Sequence, residues 1–297
     1  MAYTICADIG GTKINTGIIK NNRVFAKHKI LTEKKKGLAH LLKNLKKAIE
    51  VYEPQKAERI GISFAGPVEN GVIIEATNFP PYIRNVNLKK IIATWFKKPV
   101  AVEHDGECFT LAESILGVAK KYRFVIGLTL GTGVGGGLVI NKKIYRGRQN
   151  LMETGHFKIM EGGFKCSCGH FGHFESQVCG PALTKYYQQL TGKNLAGEEI
   201  HRLALKKEGA ALKTAELAAK YLGISLASLA NTLSPDIFVL GGSVSQFEEI
   251  INLSKKYFLE EIIYSRHAKV KIVKSRLGDD AQLIGASLLT KNSYSIT

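Results

Sequence analysis

One short pattern occurs twice in this chain and restricts its fold more than any other feature. Residues 5–19, "ICADIGGTKINTGII", and residues 126–140, "IGLTLGTGVGGGLVI", both read as a strand, a tight glycine turn and a second strand. Two matching copies predict a duplicated fold in which each half begins with a glycine-turned hairpin.

The order of the remaining elements supports an α/β protein with two lobes and a cleft between them. The first half predicts the order βββαβα, ending near residue 120 with a helix over 106–119. The second half predicts a long helical region over 180–233, a strand in "PDIFVLGG" and a last helix after residue 280. Because no low-complexity linker separates the halves, we expect a lobe over 1–120, completed by a helix over 279–297, and a lobe over 121–278.

Composition excludes several classes of protein. A hydrophobic content of 45% and 30 glycines are typical of a folded α/β domain. The formal charge of +17 raises the alternatives of a solvated basic surface, contact with a polyanion or membrane, or attraction of an acidic small substrate. The lysines are scattered in small groups, which favours the solvated surface. No signal-peptide pattern begins the sequence, and the longest uncharged run is too short for a membrane helix, so we expect a cytoplasmic protein.

The glycine turns are candidate phosphate-binding loops. Glycine allows positive φ and close backbone approach, so that successive N–H groups converge on an anion. A third glycine turn, "LGGSVS", lies at 240–245. Because glycine turns recur in this way, ordinary hairpin turns are a weaker explanation than phosphate binding. Neither hairpin turn matches the P-loop or dinucleotide pattern. The residues of the three turns proposed for the nucleotide are Asp8, Gly10, Gly11, Thr12, Lys13, Gly131, Thr132, Gly133, Gly135, Gly241 and Gly242.

Acidic residues near these turns suggest further chemistry. Asp8 can hold Mg²⁺, which prefers one or two carboxylates together with phosphate oxygens. Asp105 ends the strand in "VEHDGECFTLAE" and precedes a helix, where an aspartate is also a good helix cap. The residues alone leave open whether Asp105 is a helix cap or a catalytic group.

The segment "KCSCGHFGHFE" at 165–175 raises the question of a metal site. The five cysteines are odd in number and unevenly spaced, which argues against a disulfide framework. Zn²⁺ prefers four nitrogen and sulfur ligands in a tetrahedron. A bound zinc and an unmetallated loop are both open, and we expect His170 to be a surface residue.

Six motifs in this order resemble those of the ROK family of repressors and sugar kinases. They are "DIGGTK", "EHDGECFTLAE", "TLGTGVGGGLVINKKIYRG", "ETGHF", "CSCGHFGHFES" and "LGGSVS". The resemblance covers essentially the full chain and implies the duplicated actin-like ATPase fold, which is ribonuclease H-like. It also implies a homodimer that uses ATP, Mg²⁺ and a hexose, without nucleic acid or membrane partners.

The resemblance also assigns roles to individual residues. Asp105 would be the base that takes the proton of the sugar hydroxyl as that hydroxyl attacks the γ-phosphate. A structural zinc would be bound by His156, Cys166, Cys168 and His173. The residues expected to contact the sugar are Gly66, Asn78, His104, Asp105, Glu153, His156 and Glu175.

Two positions depart from the family pattern. His104 stands where the family has asparagine, and His173 stands where it has a third cysteine. Neutral histidine both donates and accepts hydrogen bonds, and imidazole also binds zinc, so the departures affect the choice of sugar and metal affinity rather than the reaction. We expect phosphorylation of the 6-hydroxyl of glucose, with N-acetylglucosamine or N-acetylmannosamine as the alternative. A sugar-sensing repressor is disfavoured, because Asp8 leaves no room for a helix-turn-helix domain before the first turn.

Overall fold

The computed structural model describes residues 3–75, 79–80, 83–147 and 152–291. The first part of the chain alternates strands with helices. Its elements are β1 (Thr4–Ile9), β2 (Lys13–Lys20), β3 (Arg23–Leu31), α1 (Leu38–Glu50), β4 (Arg59–Phe64), β5 (Val68–Glu69), β6 (Val72–Ile73), β7 (Val86–Asn87), α2 (Leu88–Phe96), β8 (Val100–His104) and α3 (Asp105–Ile115).

The second part repeats the opening hairpin and then becomes mainly helical. Its elements are β9 (Phe124–Leu130), β10 (Val134–Ile140), β11 (Lys143–Ile144), α4 (Phe174–Val178), α5 (Gly180–Thr191), α6 (Gly197–Leu205), α7 (Gly209–Leu233), β12 (Ile237–Gly241), α8 (Glu248–Glu261), β13 (Lys271–Lys274) and α9 (Ala281–Leu289).

Two five-stranded sheets carry the duplication. The first has the order β3-β2-β1-β4-β8, and the second has the order β11-β10-β9-β12-β13. In each sheet an antiparallel hairpin, β1–β2 or β9–β10, adjoins parallel strands. The α/β fold predicted from the repeated hairpin is therefore confirmed.

The chain divides into two compact units. One comprises Met1–Arg123, Gly137–Met152 and Leu277–Thr297, and the other comprises Phe124–Gly136 and Glu153–Arg276. In the first unit, buried aliphatic and aromatic side chains of β1, β4, α1 and α2 form one core. The lobe boundaries that the sequence suggested at 120 and 279 stay a prediction.

Helix α3, which begins at Asp105, is held closely by α9 within the first unit. A Cβ at Gly285 of α9 would lie 1.9 Å from the carbonyl oxygen of Cys108 on α3, so only glycine allows this approach. The sequence predicted α3 over 106–119, whereas the helix begins one residue earlier and ends at Ile115.

The segment between β4 and β8 was predicted incorrectly. The strands β5, β6 and β7 and the helix α2 lie between β4 and β8, where the sequence suggested no element. The helical region expected over 180–233 is confirmed, and it is divided into three helices: α5 ends before Gly192, which has φ 73°, and α6 ends before Gly209. Within the described ranges, no helix is both long and apolar enough to cross a membrane.

Candidate functional site

The carboxyl ends of three parallel strands meet at one edge of the first sheet. Ile9 of β1 is paired with Phe64 of β4, which is paired in turn with His104 of β8. Ligand-binding groups of open α/β sheets characteristically lie beyond this edge. The register therefore brings Asp8 and Asp105 to the same edge within one unit.

Asp8 is half-buried and has polar partners. The Ser63 hydroxyl donates to Oδ1 at 2.8 Å, and the Asn15 side-chain amide lies 3.4 Å from Oδ2. Burial raises the pKa of the Asp8 carboxyl, and so does the negative charge of Asp105, while these hydrogen bonds oppose the shift; together they place the pKa at about 6. Two carboxylates that repel each other at a sheet edge are a suitable place for a divalent cation.

Asp105 is the first residue of α3, and its carboxylate is open to solvent on one side. The backbone N–H of Gly106 donates to Oδ1 at 2.7 Å, and Nε2 of His104 lies 3.1 Å from the same oxygen. The imidazole is largely covered, while about a quarter of the Asp105 side chain, 24%, is exposed. His104 rather than Asp105 occupies the N-cap position, and it makes no side-chain cap bond.

A partly buried ion pair adjoins this junction. The Arg146 guanidinium contacts Oε2 of Glu103 through Nε at 3.1 Å and through a second, closer nitrogen. Oε1 of Glu103 accepts from the backbone N–H of His104 at 3.0 Å. Neither residue was predicted from the sequence to belong to the site, although Arg146 follows the second glycine hairpin and Glu103 adjoins His104.

The turn between β1 and β2 is closed by its own hydrogen bonds. The N–H of Gly10 donates to the carbonyl of Lys13 at 3.0 Å, and the Thr32 hydroxyl donates to the carbonyl of Gly10 at 2.7 Å. The glycines of the two hairpin turns do not have positive φ. Among the predicted nucleotide residues, only Gly242 has a φ in the left-handed region, at 83°.

The turn between β9 and β10 contacts Glu175 within the second unit. The backbone N–H of Val134 donates to Oε2 of Glu175 at 2.9 Å. A Cβ at Gly133 would lie 2.4 Å from that same oxygen, so the absence of a side chain makes room for the carboxylate. Close approach, rather than unusual φ, is what this glycine provides.

Glu175 also accepts hydrogen bonds from residues 165–173, which we call the cysteine loop. The Ser167 hydroxyl donates to its Oε1 at 2.7 Å, and the Cys166 thiol lies 3.5 Å from the same atom. Glu175 is buried in the first turn of α4. Its carboxylate therefore joins the glycine turn to the cysteine loop, a link that spacing along the sequence does not reveal.

The four predicted metal ligands come together in the second unit. One ligand atom from each of His156, Cys166, Cys168 and His173 lies within 4.8 Å of all the others. Nδ1 of His156 is 3.4 Å from the Cys166 sulfur, and Nδ1 of His173 is 3.2 Å from the Cys168 sulfur. His170 is exposed and outside this group, with its Nδ1 3.6 Å from the Cys168 sulfur.

Burial and mutual repulsion shift the pKa values of two residues of the cluster. Burial raises the pKa of the Cys166 thiol to about 11. Burial also lowers the pKa of His173, and repulsion from His156 and His170 lowers it further. Deprotonated imidazole and thiolate are the forms that bind zinc, and a bound dication would favour the thiolates.

The remaining predicted sugar contacts differ in how far the structure defines them. Oε2 of Glu153 lies 3.8 Å from Nε2 of His156, on the opposite side of the ring from Cys166. Gly66 follows β4 at the first sheet's edge, where its N–H donates to the carbonyl of Phe64 at 2.9 Å. Asn78 lies outside the described residues.

A large cavity of about 970 Å³ lies within the second unit. It is bordered by Gly131 and Thr132 of the glycine turn, the start of α5 and the segment after β12 that includes Ser243. The rings of His201 and Phe247 stack at 4.0 Å between centroids on its lining. The cavity therefore combines a glycine turn with a flat aromatic wall.

The sequence model of the ROK family matches residues 4–293. The chain belongs to the ROK family. Among curated relatives, it is 32% identical over 255 residues to an N-acetylgalactosamine kinase of Shewanella sp. (strain ANA-3), with 82% of each chain covered. It is 30% identical over 302 residues to an N-acetyl-D-glucosamine kinase of Histophilus somni (strain 129Pt), with 95% of this chain and 97% of the relative covered.

A solved ROK structure has the same fold. The ROK family glucokinase of Streptomyces griseus, in complex with glucose and AMPPNP, matches 98% of this chain and 100% of its own, with a TM-score of 0.89 and 28% identity. The predicted membership of the ROK family and its fold are therefore confirmed.

Proposed function

We propose that this ROK protein is a hexose kinase that transfers the γ-phosphate of ATP to a sugar hydroxyl, with Asp105 as the general base. The observation that carries the proposal is the pair of carboxylates, Asp8 and Asp105, whose charges interact at one sheet edge. Phosphoryl transfer depends on positioning and charge neutralisation, and one metal-binding carboxylate beside one proton acceptor supplies both.

The reaction makes a limited demand on the base. The hydroxyl proton moves to the Asp105 carboxylate while the hydroxyl oxygen bonds to the γ-phosphorus. The bond from that phosphorus to the bridging oxygen breaks, and its electron pair stays on ADP. An ordinary carboxylate within reach of the hydroxyl is sufficient.

Asp8 has the properties required to bind Mg²⁺. It is a half-buried carboxylate whose ionised form is penalised, and a cation relieves that penalty. When bound, Mg²⁺ neutralises phosphate charge. We propose that Lys13, Thr12 and the backbone of Gly10 and Gly11 bind phosphate oxygens near it.

The cavity of the second unit is our candidate for the nucleotide. Gly131 and Thr132 border it, and we assign Gly133 and Gly135 of the same turn to the phosphates. Gly241 and Gly242 lead into the Ser243 segment on its lining, where we place the adenosine. The stacked His201 and Phe247 rings offer a flat surface to a purine.

The sugar would be bound by carboxylates around the cysteine loop. Glu153, His156 and Glu175 are our candidate ligands for its hydroxyls, and Oε2 of Glu175 retains a lone pair beyond its bond from Val134. Gly66, Asn78 and His104 complete the proposed set.

The four-ligand cluster fits a structural zinc ion. Two imidazole nitrogens and two thiols within 4.8 Å of one another match a closed Cys₂His₂ site. Zinc would fix the loop that carries Ser167 and thereby the carboxylate of Glu175. His156 would keep its Nε2–H for a sugar hydroxyl or for Glu153.

Two acceptor classes have support. The glucokinase match favours glucose, phosphorylated at the 6-hydroxyl, whereas the two curated relatives above act on N-acetylated hexosamines. We propose glucose as the first acceptor to test and N-acetylglucosamine or N-acetylmannosamine as the alternative. A homodimer remains our expectation from the family.

The test is ADP formation with ATP, Mg²⁺ and single sugars: glucose, mannose, fructose, N-acetylglucosamine, N-acetylgalactosamine and N-acetylmannosamine. We expect strong dependence on one or two of them. Asp105→Asn should lower kcat about 100- to 10,000-fold, as for loss of a general base, while sugar binding by calorimetry persists. No sugar-dependent ADP across the panel would overturn the proposal.

A further inference from the structure

Thr32 is a buried residue that lies outside the six family motifs and makes two hydrogen bonds to the first hairpin turn. We propose that Thr32 is a positioning residue for the nucleotide: its hydroxyl orients the peptide between Gly10 and Gly11, so that the N–H of Gly11 faces a phosphate oxygen of ATP. The inference rests on the proposed kinase activity and gives the phosphate turn a partner outside its own stretch of sequence.

The hydroxyl and the backbone N–H of Thr32 both face the turn. The hydroxyl donates to the carbonyl of Gly10 at 2.7 Å, and the N–H donates to the carbonyl of Thr12 at 3.0 Å. The pairing of β2 with β3 ends where Lys13 lies opposite Leu31, and Thr32 is the next residue of the chain. One residue just beyond β3 therefore holds two carbonyls of the turn.

The bond to Gly10 determines the direction of one N–H. In a planar trans peptide, the C=O and the following N–H point in opposite directions. Because the carbonyl of Gly10 faces Thr32, the N–H of Gly11 is directed away from Thr32. Gly11 is partly exposed, and within the described ranges its N–H donates to no backbone carbonyl. This N–H is therefore available to an anion at the turn.

The turn needs such a restraint because two glycines adjoin in it. Glycine has no Cβ to limit φ and ψ, so the peptide between Gly10 and Gly11 is easily reversed. A reversed peptide would present its carbonyl oxygen, rather than its N–H, to a phosphate oxygen, and the two oxygens would repel each other. A donor that is held in place before binding avoids the cost of ordering it in the complex.

Thr32 is itself fixed by contacts to α1. The side-chain amide of Asn44 donates to the carbonyl of Leu31 at 3.3 Å. On the other side of Thr32, Oε2 of Glu33 is hydrogen-bonded to Nε2 of His40 at 2.7 Å. The branched Cβ of threonine also restricts its χ1 rotamer. Because both neighbours in the chain are held, Thr32 can direct the turn rather than follow it.

Binding of the ATP analogue AMPPNP with Mg²⁺, measured by calorimetry, tests this role without turnover. Thr32→Val keeps the shape of the side chain and removes the hydroxyl. It should raise the Kd of MgAMPPNP about tenfold, as for the loss of one hydrogen bond to a charged group. The Kd of the sugar that the wild type phosphorylates should change by less than about twofold, because no group of this turn is a proposed sugar ligand.

Rescue by the conservative variant separates the hydroxyl from the bulk of the side chain. Thr32→Ser restores the donor and should bring the Kd of MgAMPPNP back to within about threefold of the wild-type value. Thr32→Ala provides the same comparison with Thr32→Ser if the valine variant does not fold.

Thr16→Val is the matched control. Thr16 is also buried, it lies on β2 of the same sheet, and its hydroxyl donates to the carbonyl of His28 at 3.3 Å. The substitution removes the same kind of bond away from the turn. We therefore expect the Kd of MgAMPPNP to stay within about twofold of the wild-type value, even where the free energy of unfolding falls.

The possible outcomes are distinct. An unchanged Kd of MgAMPPNP in Thr32→Val, or an equal rise in Thr16→Val, would overturn the positioning role while leaving the kinase activity of the wild type intact. A wild-type protein that binds no MgAMPPNP and forms no ADP with any sugar of the panel would instead contradict the proposed function.

Discussion

At the scale of single residues, Asp8 combines a stability cost with a proposed functional role. Its pKa of about 6 in the folded protein exceeds the ordinary 3.8, so the folded state holds this proton more tightly than the unfolded chain does. The stability available below pH 4 is therefore lost as the pH rises through 6.

Asp8→Asn should remove this cost. We expect the variant to be more stable than the wild type by about 1–3 kcal/mol above pH 7, with the difference vanishing near pH 4, because each pKa unit corresponds to about 1.4 kcal/mol. Thermal unfolding across pH without Mg²⁺ measures it. A constant difference at all pH values would contradict the assignment, and kinase activity should fall about 100-fold through loss of the metal ligand.

Gly133 offers a second test of a single contact. Gly133→Ala places a methyl group 2.4 Å from Oε2 of Glu175, which must then leave the N–H of Val134. We expect a rise in sugar KM of about tenfold, as for the loss of a hydrogen bond to a charged group. Gly209→Ala at the start of α7 is the matched control, because no atom lies within 4 Å of its added Cβ and the residue lies outside the proposed site. Equal kinetics in the two variants would contradict the link.

At the scale of elements, strands and helices with a clear hydrophobic period can be predicted from the sequence, and elements without such a period cannot. The hairpins β1–β2 and β9–β10 show their strand pattern and turn residues openly, so both were predicted. Strands of two residues, such as β5 and β6, are too short to show an alternation, and their pairing depends on tertiary contacts.

A lysine contact at the end of α3 could not be predicted from any sequence pattern. After Ile115 the chain turns around the Lys142 ammonium, which donates to the carbonyls of Ser114 and Lys120 at 2.7 Å and of Tyr122 at 3.1 Å. Burial lowers the pKa of Lys142. Among many scattered lysines, the sequence gives no reason to single out this one.

The cysteine loop is the element whose metal content can be measured directly. Protein prepared without chelators should contain about one zinc ion per chain, because the four donors form one closed site. Cys168→Ser and His173→Ala should each reduce the zinc content to near zero after dialysis.

His170→Ala provides the control for this loop. His170 is exposed and lies outside the four-atom group, so its loss should leave the zinc content unchanged. Wild-type protein without zinc, or a loss of zinc caused by His170→Ala alone, would refute the four-ligand assignment. Cobalt substitution adds a readout independent of activity, since charge-transfer absorption reports the thiolate ligands.

At the scale of the whole molecule, the candidate site residues could be proposed from the sequence, but their partners could not. His156 and Cys166 are ten positions apart, and spacing alone suggests a metal clip. The bond from Val134 to Glu175 joins residues 41 positions apart, and the contact between Arg146 and Glu103 joins residues 43 apart. Such pairings depend on the tertiary arrangement of the strands and loops. This arrangement cannot be predicted from the pattern of a single sequence.

The net charge of +17 makes a prediction that belongs to the whole chain. A strongly positive protein attracts anionic MgATP at long range, and salt screens this attraction over about 10 Å at 0.1 M. We expect kcat/KM for MgATP to fall about threefold or more between 0.05 and 0.5 M KCl, whereas the KM of the uncharged hexose stays constant. Steady-state kinetics with either substrate varied, at fixed free Mg²⁺, measure both quantities. If the KM of the hexose changed with salt together with kcat/KM for MgATP, salt would be acting on the fold or the chemistry. The positive charge would then serve only as a solvated surface.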